Sequence, residues 1–253
     1  MTFQAESYSP SGVPIAKDFR DNLIIDRYDP VFADMRASKL KHMRSVNSED
    51  AVTWNVFRSL RQISPSVWLP CLWRLAFPSL ERPTDIVATV KLWLSVPPPL
   101  GLIAEGDEGS SEVDVAIESA TWVWFIEAKY RSDISTGTTT RRDRDQILRN
   151  IDVGSYYAGV RKFYFSFLIA SATRSPVGVK ITQQYADYGL VREKLKSHRQ
   201  DGLPNLGGVG PLTWNSVSEV LREAATKAER EEERAYASRA FTWLTEKGLS
   251  SAV

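Results

Sequence analysis

The chain has 253 residues, and the 43% that are hydrophobic are enough for one large α/β domain with a substantial core. Its 32 basic and 31 acidic residues leave a net charge of +1, so no overall cationic field indicates a nucleic-acid binder, and any such contact must use local patches. The single cysteine excludes an intramolecular disulfide, and with two widely separated histidines the chain cannot supply a zinc site.

The first 46 residues are predicted to form an extension ahead of the main domain. Residues 1–14 are rich in Ser, Pro and Gly, which is typical of a mobile or surface-draped tail. They lack the pattern of a signal peptide, and no stretch of the chain approaches about 18 uninterrupted apolar residues, so we expect a soluble, cytoplasmic protein. Residues 15–43 end in basic side chains that would either contact phosphates or form a solvated helix face.

A helix is predicted from Ser48 to about Ile63. Ser48 is a capping residue, and Glu49 and Asp50 stand at the positive end of the helix dipole. The apolar stripe consists of Val52, Val56, Leu60 and Ile63. Glu49 falls on the same inward side, and two explanations remain open: stabilisation by the dipole, or a role in a buried site.

The next segments predict a helix, a strand and a loop. Residues 66–77 are apolar and interrupted by Pro70, and the tryptophans around Cys71 indicate a buried structural thiol. Residues 85–96 have the β-branched content of a strand, which three prolines end. The polar, glycine-containing stretch 101–111 predicts a loop.

Residues 112–130, EVDVAIESATWVWFIEAKY, predict a β-hairpin with a turn near residues 119–121. Because side chains alternate along a strand, one face is entirely apolar. Its members are Val113, Val115, Ile117, Trp122, Trp124, Ile126 and Ala128. The other face places Asp114 opposite or diagonal to Glu127, with Lys129 two residues further on. Charged groups on an interior strand need a partner or a metal, and both an ion cluster that reaches solvent and a functional site remain open.

The hydrophilic run 131–144 leads into a helix that is predicted to begin near Asp143. The residues expected to face inwards are Ile147, Leu148, Ile151 and Ser155. Gln146 and Arg149 lie about one turn apart on the polar side. Residues 163–171 predict a strand parallel to that of Glu127, because the intervening helix makes a crossover connection.

The C-terminal third is predicted to be mainly helical. A helix is expected over about 181–198, and the glycine-rich stretch 202–211 lacks the G-K-[ST] of a phosphate-binding loop. Helical segments run from about Val217 to Lys247 and are capped by Gly248. Their charged middle indicates a solvated or partner-facing helix. His42 and His198 are expected at the surface.

Asp114, followed after twelve residues by Glu127-Ala128-Lys129, resembles the D-x(n)-(D/E)-x-K signature of the PD-(D/E)XK, or restriction-endonuclease-like, nucleases. Val113 stands where that family carries a leading proline. The resemblance covers roughly residues 48–214. It implies an α/β fold with a central mixed β-sheet flanked by helices, here as a core over residues 47–215 between an N-terminal extension, 1–46, and a C-terminal helical extension, 216–253.

The resemblance also implies roles for individual residues. Asp114 and Glu127 would hold Mg²⁺, for which Mn²⁺ can substitute, with the carbonyl of Ala128 and with Glu49 as further ligands. Lys129 would orient the attacking water or stabilise the pentavalent phosphorus. Gln146 matches a glutamine that the family often carries on the helix after the E-x-K strand. The basic residues expected to grip nucleic acid are Arg141, Arg142, Arg144 and Arg149.

The expected function is therefore metal-dependent hydrolysis of nucleic-acid phosphodiesters, most readily of DNA, in restriction or phage defence. One alternative is a catalytically inactive module of the same fold that binds nucleic acid or protein. Another is an interaction protein whose C-terminal helices dock a protein partner or a second copy of the chain. Metal-dependent cleavage separates the first hypothesis from the other two.

Overall fold

The computed structural model describes residues 3–104, 109–137 and 144–250. Its strands are β1 (Ser7–Tyr8), β2 (Pro14–Ile15), β3 (Thr89–Val96), β4 (Ser111–Glu118), β5 (Trp122–Ala128), β6 (Lys162–Ile169) and β7 (Leu206–Thr213). Its helices are α1 (Ala37–Met43), α2 (Glu49–Arg61), α3 (Pro65–Ala76), α4 (Leu100–Ala104), α5 (Gln146–Ala158), α6 (Pro176–Tyr185), α7 (Tyr188–Leu195), α8 (Trp214–Lys227) and α9 (Glu231–Glu246).

A five-stranded mixed sheet with the order β3-β4-β5-β6-β7 forms the centre of the fold. The pairs β3–β4 and β4–β5 are antiparallel, whereas β6 runs parallel to β5, and β7 runs parallel to β6. Parallel neighbours need crossover connections, which α5 provides between β5 and β6, and α6 with α7 between β6 and β7. The predicted α/β fold with a mixed central sheet flanked by helices is confirmed at this level.

The sheet separates two hydrophobic layers. One layer joins side chains such as Val115 and Trp124 to α2, α3, α8 and α9. The other joins Phe125 and Phe163 to α5, α6 and α7. The segment after residue 215, which the resemblance implies as a C-terminal helical extension, contributes to the same hydrophobic layer as α2 and α3. Burial of the Trp-rich hairpin on both faces explains why its charged positions are enclosed.

One residue of the predicted apolar hairpin face lies elsewhere. Val113 belongs to the layer with α5, whereas the other members lie in the layer with α2. The β3–β4 ladder is interrupted at the neighbouring position, because Trp93, opposite Asp114, is unpaired and has a φ of 52°. A positive φ is unusual for a bulky residue and interrupts the strict alternation of faces, so the period-2 argument fails at this point.

Strand β7 was missed by the sequence analysis, which assigned no strand to the stretch 202–211. A Cβ atom on Gly210 would lie 2.3 Å from the carbonyl oxygen of Ala76, and one on Gly207 would lie 2.6 Å from the ring of Tyr164. Glycine is needed here because α3 and β6 approach the strand closely. A local pattern that indicates a loop therefore corresponds to an edge strand.

Several element boundaries also differ from the predictions. The helix expected over 181–198 is two helices, α6 and α7, and β3 begins at Thr89 rather than at Asp85. Helix α2 begins as predicted, with the hydroxyl of Ser48 accepting a hydrogen bond from the Ala51 N–H at 3.2 Å. Among the described residues, none of the helices combines the length and the apolar character needed to cross a bilayer.

Candidate active site

The hairpin changes its hydrogen bonding where the charged residues begin. The last backbone pair between β4 and β5 joins Val115 to Ile126, and the next position along this register would pair Asp114 with Glu127. Instead, Oδ2 of Asp114 accepts a hydrogen bond from the Ala128 N–H at 2.9 Å. The side chain of Asp114 thus takes the place of a backbone acceptor, which holds it beside the end of β5.

Glu127 is the most enclosed carboxylate of the site, at 2% exposed. Its Oε1 accepts hydrogen bonds from Nζ of Lys129 at 2.8 Å and from Nε2 of Gln146 at 2.5 Å. Its Oε2 accepts a hydrogen bond from Nδ2 of Asn150 at 2.7 Å. The carboxylate is therefore held in one orientation by groups from β5 and α5.

Lys129 lies just past β5, and two hydrogen bonds fix the position of its backbone. Its N–H donates to the carbonyl of Leu168 at 2.7 Å, and its own carbonyl accepts from Nε1 of Trp214 at 3.0 Å. Its ammonium lies between two carboxylates, 2.8 Å from Glu127 and 3.2 Å from Glu49. The sequence placed Lys129 near Glu127, but the contact across 80 residues to Glu49 comes from the packing of α2 on the sheet.

Glu49 also binds the loop that follows β5. Its Oε2 accepts hydrogen bonds from the Tyr130 N–H at 2.8 Å and from the Ser132 hydroxyl at 3.0 Å. The position of Glu49 in the first turn of α2 suits the helix dipole, yet the dipole alone does not account for these contacts. Glu49 joins α2 to the end of β5, so it belongs to the same cluster as Lys129.

The charges of this cluster do not balance. Burial, followed by the negative charge of Glu127, raises the pKa of Asp114 well above its usual range. Burial acts to lower the pKa of Lys129, but the carboxylates of Glu127, Glu49 and Asp114 outweigh it and raise that pKa. Three carboxylates thus surround one ammonium group, which remains charged at neutral pH.

A second ion cluster, at the other end of β4, has an excess of positive rather than negative groups. The Glu118 carboxylate forms ion pairs with Lys91 at 2.9 Å and with Arg161 at 3.1 Å. It also accepts a hydrogen bond from the Tyr157 hydroxyl at 2.9 Å. Burial acts to raise the pKa of Glu118, but the hydrogen bonds from these groups outweigh it and lower that pKa. There, two cations face one carboxylate, whereas in the cluster around Lys129 three carboxyl groups face one cation.

The carboxylate and carbonyl oxygens of the site are of the type that binds hard divalent cations. Within residues 3–104, 109–137 and 144–250, no group of three or more His, Cys, Asp or Glu side chains that could hold a metal ion by themselves is found. Mg²⁺, however, is commonly bound through one or two carboxylates together with water and substrate phosphates. Among the described residues, only the Ala128 N–H donates to Asp114, so its Oδ1 remains available as a ligand.

Of the arginines predicted to bind nucleic acid, the two that the structure describes have different surroundings. Arg144 is 2% exposed, and its guanidinium donates to Asp152 at 2.8 Å and lies 3.2 Å from Nε2 of His198. Arg149 donates to the carbonyls of Gly109 and Ser110, at 3.1 and 3.3 Å. Arg141 and Arg142 lie outside the described residues. The structure therefore does not present Arg144 to a phosphate backbone.

Sequence reasoning missed some members of the site and misplaced another residue. Asn150 and Ser132 contact the carboxylates directly, and Asn150 could have been found because it lies four residues after Gln146, on the same face of α5. His42 is exposed as predicted, but the prediction for His198 was wrong. Its side chain is 4% exposed, and its Nε2 lies 2.7 Å from Asp152.

The described site therefore consists of Asp114, Glu127 and Lys129 from the hairpin, Glu49 from α2, and Gln146 with Asn150 from α5. It lies at the C-terminal end of β5, the central strand of the sheet, to which β6 runs parallel. Helices α2 and α5 begin at this end of the strand. In comparisons with known proteins, no family model, no curated protein and no solved structure matches the chain.

Proposed function

We propose that the chain is a metal-dependent nuclease with a restriction-endonuclease-like core, and that it hydrolyses phosphodiester bonds of DNA. The observation that carries this proposal is the excess of acidic groups in an enclosed site, where the carboxyl groups of Glu49, Asp114 and Glu127 face one ammonium group and the pKa of Asp114 is raised. An unbalanced buried charge is costly unless a cation or a catalytic role compensates for it. The cluster around Glu118 has the opposite composition, because two cations there face a single carboxylate.

A divalent cation such as Mg²⁺ or Mn²⁺, held by Asp114, Glu127 and the carbonyl of Ala128, would supply a Lewis acid that activates water and neutralises charge on the phosphate. Glu49 is a further ligand, directly or through water. The chain's own groups would orient the reactants. Gln146 and Asn150 hold the Glu127 carboxylate by one oxygen each, so that it presents one fixed geometry.

Lys129 would act on the phosphate and on the nucleophile. Its ammonium stays protonated, and it carries three N–H donors, two of which point to Glu127 and Glu49. The remaining donor can bind an oxygen of the scissile phosphate or orient the attacking water. Preorganised donors of this kind stabilise the charge that develops in the transition state. Restriction or phage defence is the biological setting that the family resemblance suggests for this reaction.

The test is cleavage of plasmid DNA and of single- and double-stranded oligonucleotides, DNA and RNA, with Mg²⁺, Mn²⁺ or a chelator. Glu127→Gln should abolish cleavage, and Glu118→Gln is the matched control, because it changes a carboxylate of similar burial on the neighbouring strand. We expect the parent and the control to cleave DNA only with metal. Absence of metal-dependent cleavage by the parent, or normal cleavage by Glu127→Gln, would refute the proposal.

One observation favours a second candidate, a binding module that keeps the fold without catalysis. Both oxygens of Glu127 already accept hydrogen bonds from described side chains, so the site is also consistent with a metal-free polar cluster. Such a module would bind nucleic acid or protein without a divalent cation. Its thermal unfolding would not respond to Mg²⁺ or Mn²⁺, whereas a metal site raises the stability of the folded state.

A further inference from the structure

A groove runs between α9 and the segment that contains Asp21 and Ile24. It consists of two adjoining cavities of about 540 and 310 Å³, which share Ile24, Trp243 and Glu246 as lining residues. Trp243 is 7% exposed and forms part of the floor of both cavities. The site described above does not use this groove, yet its lining combines cationic, aromatic and amide side chains.

Cationic groups stand on either side of Trp243. Arg239, Trp243 and Lys247 follow one another at intervals of four residues, so they form one stripe, with the two cations about 12 Å apart along the helix axis. Arg239 is exposed, and its guanidinium makes one long hydrogen bond, 3.4 Å, to the carbonyl of Ile24. In the part of the chain that the structure describes, Arg239 and Lys247 have no carboxylate within ion-pair distance.

Lys247 has capacity for a further acceptor. Its ammonium donates to the carbonyl of Val46 at 2.7 Å and lies 4.7 Å from the centre of the Trp243 ring. An ammonium group carries three donors, so further donors remain for an anion. Burial, and then the charge of Arg131, lowers the pKa of Lys247 to about 8, while Glu246 opposes this shift. A phosphate would relieve the repulsion between Lys247 and Arg131.

Asn22 contributes an acceptor that lacks a partner. Its amide nitrogen donates to the carbonyls of Met43 and Ser45, at 3.0 and 2.7 Å, while its Oδ1 is buried and accepts no hydrogen bond from the described residues. The side chain lines the smaller cavity and is 3% exposed. An unpaired buried acceptor costs free energy, and the amino group of a nucleobase could satisfy it. Because Asn22 and Lys247 bind successive carbonyls, Ser45 and Val46, their polar ends lie close together.

Tyr130 connects the groove residue Lys247 to the candidate active site. The Tyr130 hydroxyl donates to the carbonyl of Lys247 at 3.4 Å, and Tyr130 is also the residue whose N–H binds Glu49. Arg131 follows directly, is exposed, and places its guanidinium 5.3 Å from the centre of the Tyr130 ring. Tyr130 thus links the two sites, and the charge of Arg131 is near enough to act on Lys247.

We propose that this groove binds single-stranded DNA, as a continuation of the substrate path from the active site along α9. This assignment rests on the proposed function for its substrate. Arg131, Lys247 and Arg239 would contact phosphates, and Asn22 would bind a base edge in the smaller cavity. Single-strand sites commonly combine such a cationic path with aromatic surface. The acidic groups of the lining are Glu246 and Asp21, and Asp21 is neutralised by Arg27 at 3.2 Å.

The experiment measures binding of a fluorescein-labelled oligodeoxycytidylate, whose bases carry the amino group expected at Asn22, by anisotropy, in the presence of a chelator, over a series of salt concentrations. The variants are Arg239→Ala, Lys247→Gln and the double variant, with Arg222→Ala as the control, because Arg222 is exposed on α8 and lines neither cavity. Glutamine at position 247 can still donate to the Val46 carbonyl. Arg239 is exposed, so Arg239→Ala should fold even if Lys247→Gln does not.

We expect weaker binding for each groove variant, and a salt slope that is lower by about 1.4 in the double variant, since each phosphate contact on a single strand contributes about 0.7. The control should bind like the parent. Equal binding by the parent and the groove variants would overturn the proposal, as would binding to duplex DNA alone. Tighter binding of a matching RNA oligonucleotide or of heparin would overturn the assignment to single-stranded DNA.

These experiments distinguish failure of the nuclease proposal from failure of the groove proposal. Binding without metal does not depend on cleavage, so groove-dependent binding by a protein that cleaves no substrate would refute the nuclease and retain the groove. Metal-dependent cleavage together with unchanged binding in Arg239→Ala and Lys247→Gln would retain the nuclease and refute the groove.

Discussion

Nδ2 of Asn150 donates to Oε2 of Glu127 at 2.7 Å, while Gln146, one turn earlier in α5, donates to Oε1 of the same carboxylate. The helix thus holds both oxygens of Glu127 at once. Each of these donors would lose its partner if the carboxylate rotated. The orientation of Glu127 is therefore a property of α5 as much as of β5.

Asn150→Ala should lower both stability and activity. Loss of the amide leaves a buried carboxylate oxygen without a donor, which costs about 1–3 kcal/mol in the free energy of unfolding. A misoriented ligand should also reduce cleavage about 10- to 100-fold. Asn205→Ala is the matched control, because Asn205 binds the carbonyls of Ser155 and Gly159 at the other end of α5, both at 2.9 Å. Similar loss of activity in both variants would show that only stability is affected.

Asp114→Asn should stabilise the metal-free protein at neutral pH. The pKa of Asp114 is raised in the folded state, so the stability that its protonated form contributes is present at acid pH and is lost as the pH rises through the folded pKa. Asparagine removes the charge and keeps an acceptor for the Ala128 N–H. Denaturant unfolding at pH 7 with a chelator should therefore show a higher free energy of unfolding for Asp114→Asn than for the parent, and a smaller difference at acid pH. A variant less stable than the parent at pH 7 would show that the charge of Asp114 is stabilising.

Lys129→Met should destabilise the protein, and divalent cations should restore part of the loss. Removing one partner from a buried ion pair costs about 3–5 kcal/mol, because the charges of Glu127 and Glu49 lose their counter-ion. The variant should therefore gain more thermal stability from Mg²⁺ than the parent does. Lys91→Met is the control, since Lys91 pairs with Glu118 but has a half-exposed side chain. If Mg²⁺ stabilises the parent, the Lys91 variant and the Lys129 variant equally, the cation does not bind next to Lys129.

Lys247 should make the protein more stable at alkaline pH than at neutral pH, relative to a variant without this group. Its folded pKa is about 8, against about 10.4 in an unfolded chain, so between these values the unfolded state binds more protons and stability rises with pH. The free energy of unfolding of the parent, minus that of Lys247→Gln, should therefore increase between about pH 8 and pH 10. The neighbouring charges, Arg131 and Glu246, are the same in both proteins. A difference that is flat or falls over this range would contradict the burial of the ammonium group.

The elements that carry the site could be predicted from sequence because their signals are local. Period-2 alternation located Asp114 and Glu127 on paired strands, and the cap at Ser48 located the start of α2. The polar turn of α5 with Gln146 was found in the same way. Each of these inferences depends on residues within one or two turns of each other, where backbone geometry alone decides which side chains are neighbours.

The tertiary structure alone decided how these elements combine. Glu49 contacts Tyr130 and Ser132, which are distant from it in the sequence. Arg144 is buried against Asp152, although it lies in a charged run that suggests exposure. Strand β7 could not be recognised from sequence. Its glycines are required by the close approach of α3 and β6, which are distant in the sequence, and not by their neighbours in the chain. Local periodicity determined which residues could form the site, whereas the packing of α2 and α5 on the sheet determined that three carboxylates share one ammonium group, because only packing sets distances across the fold.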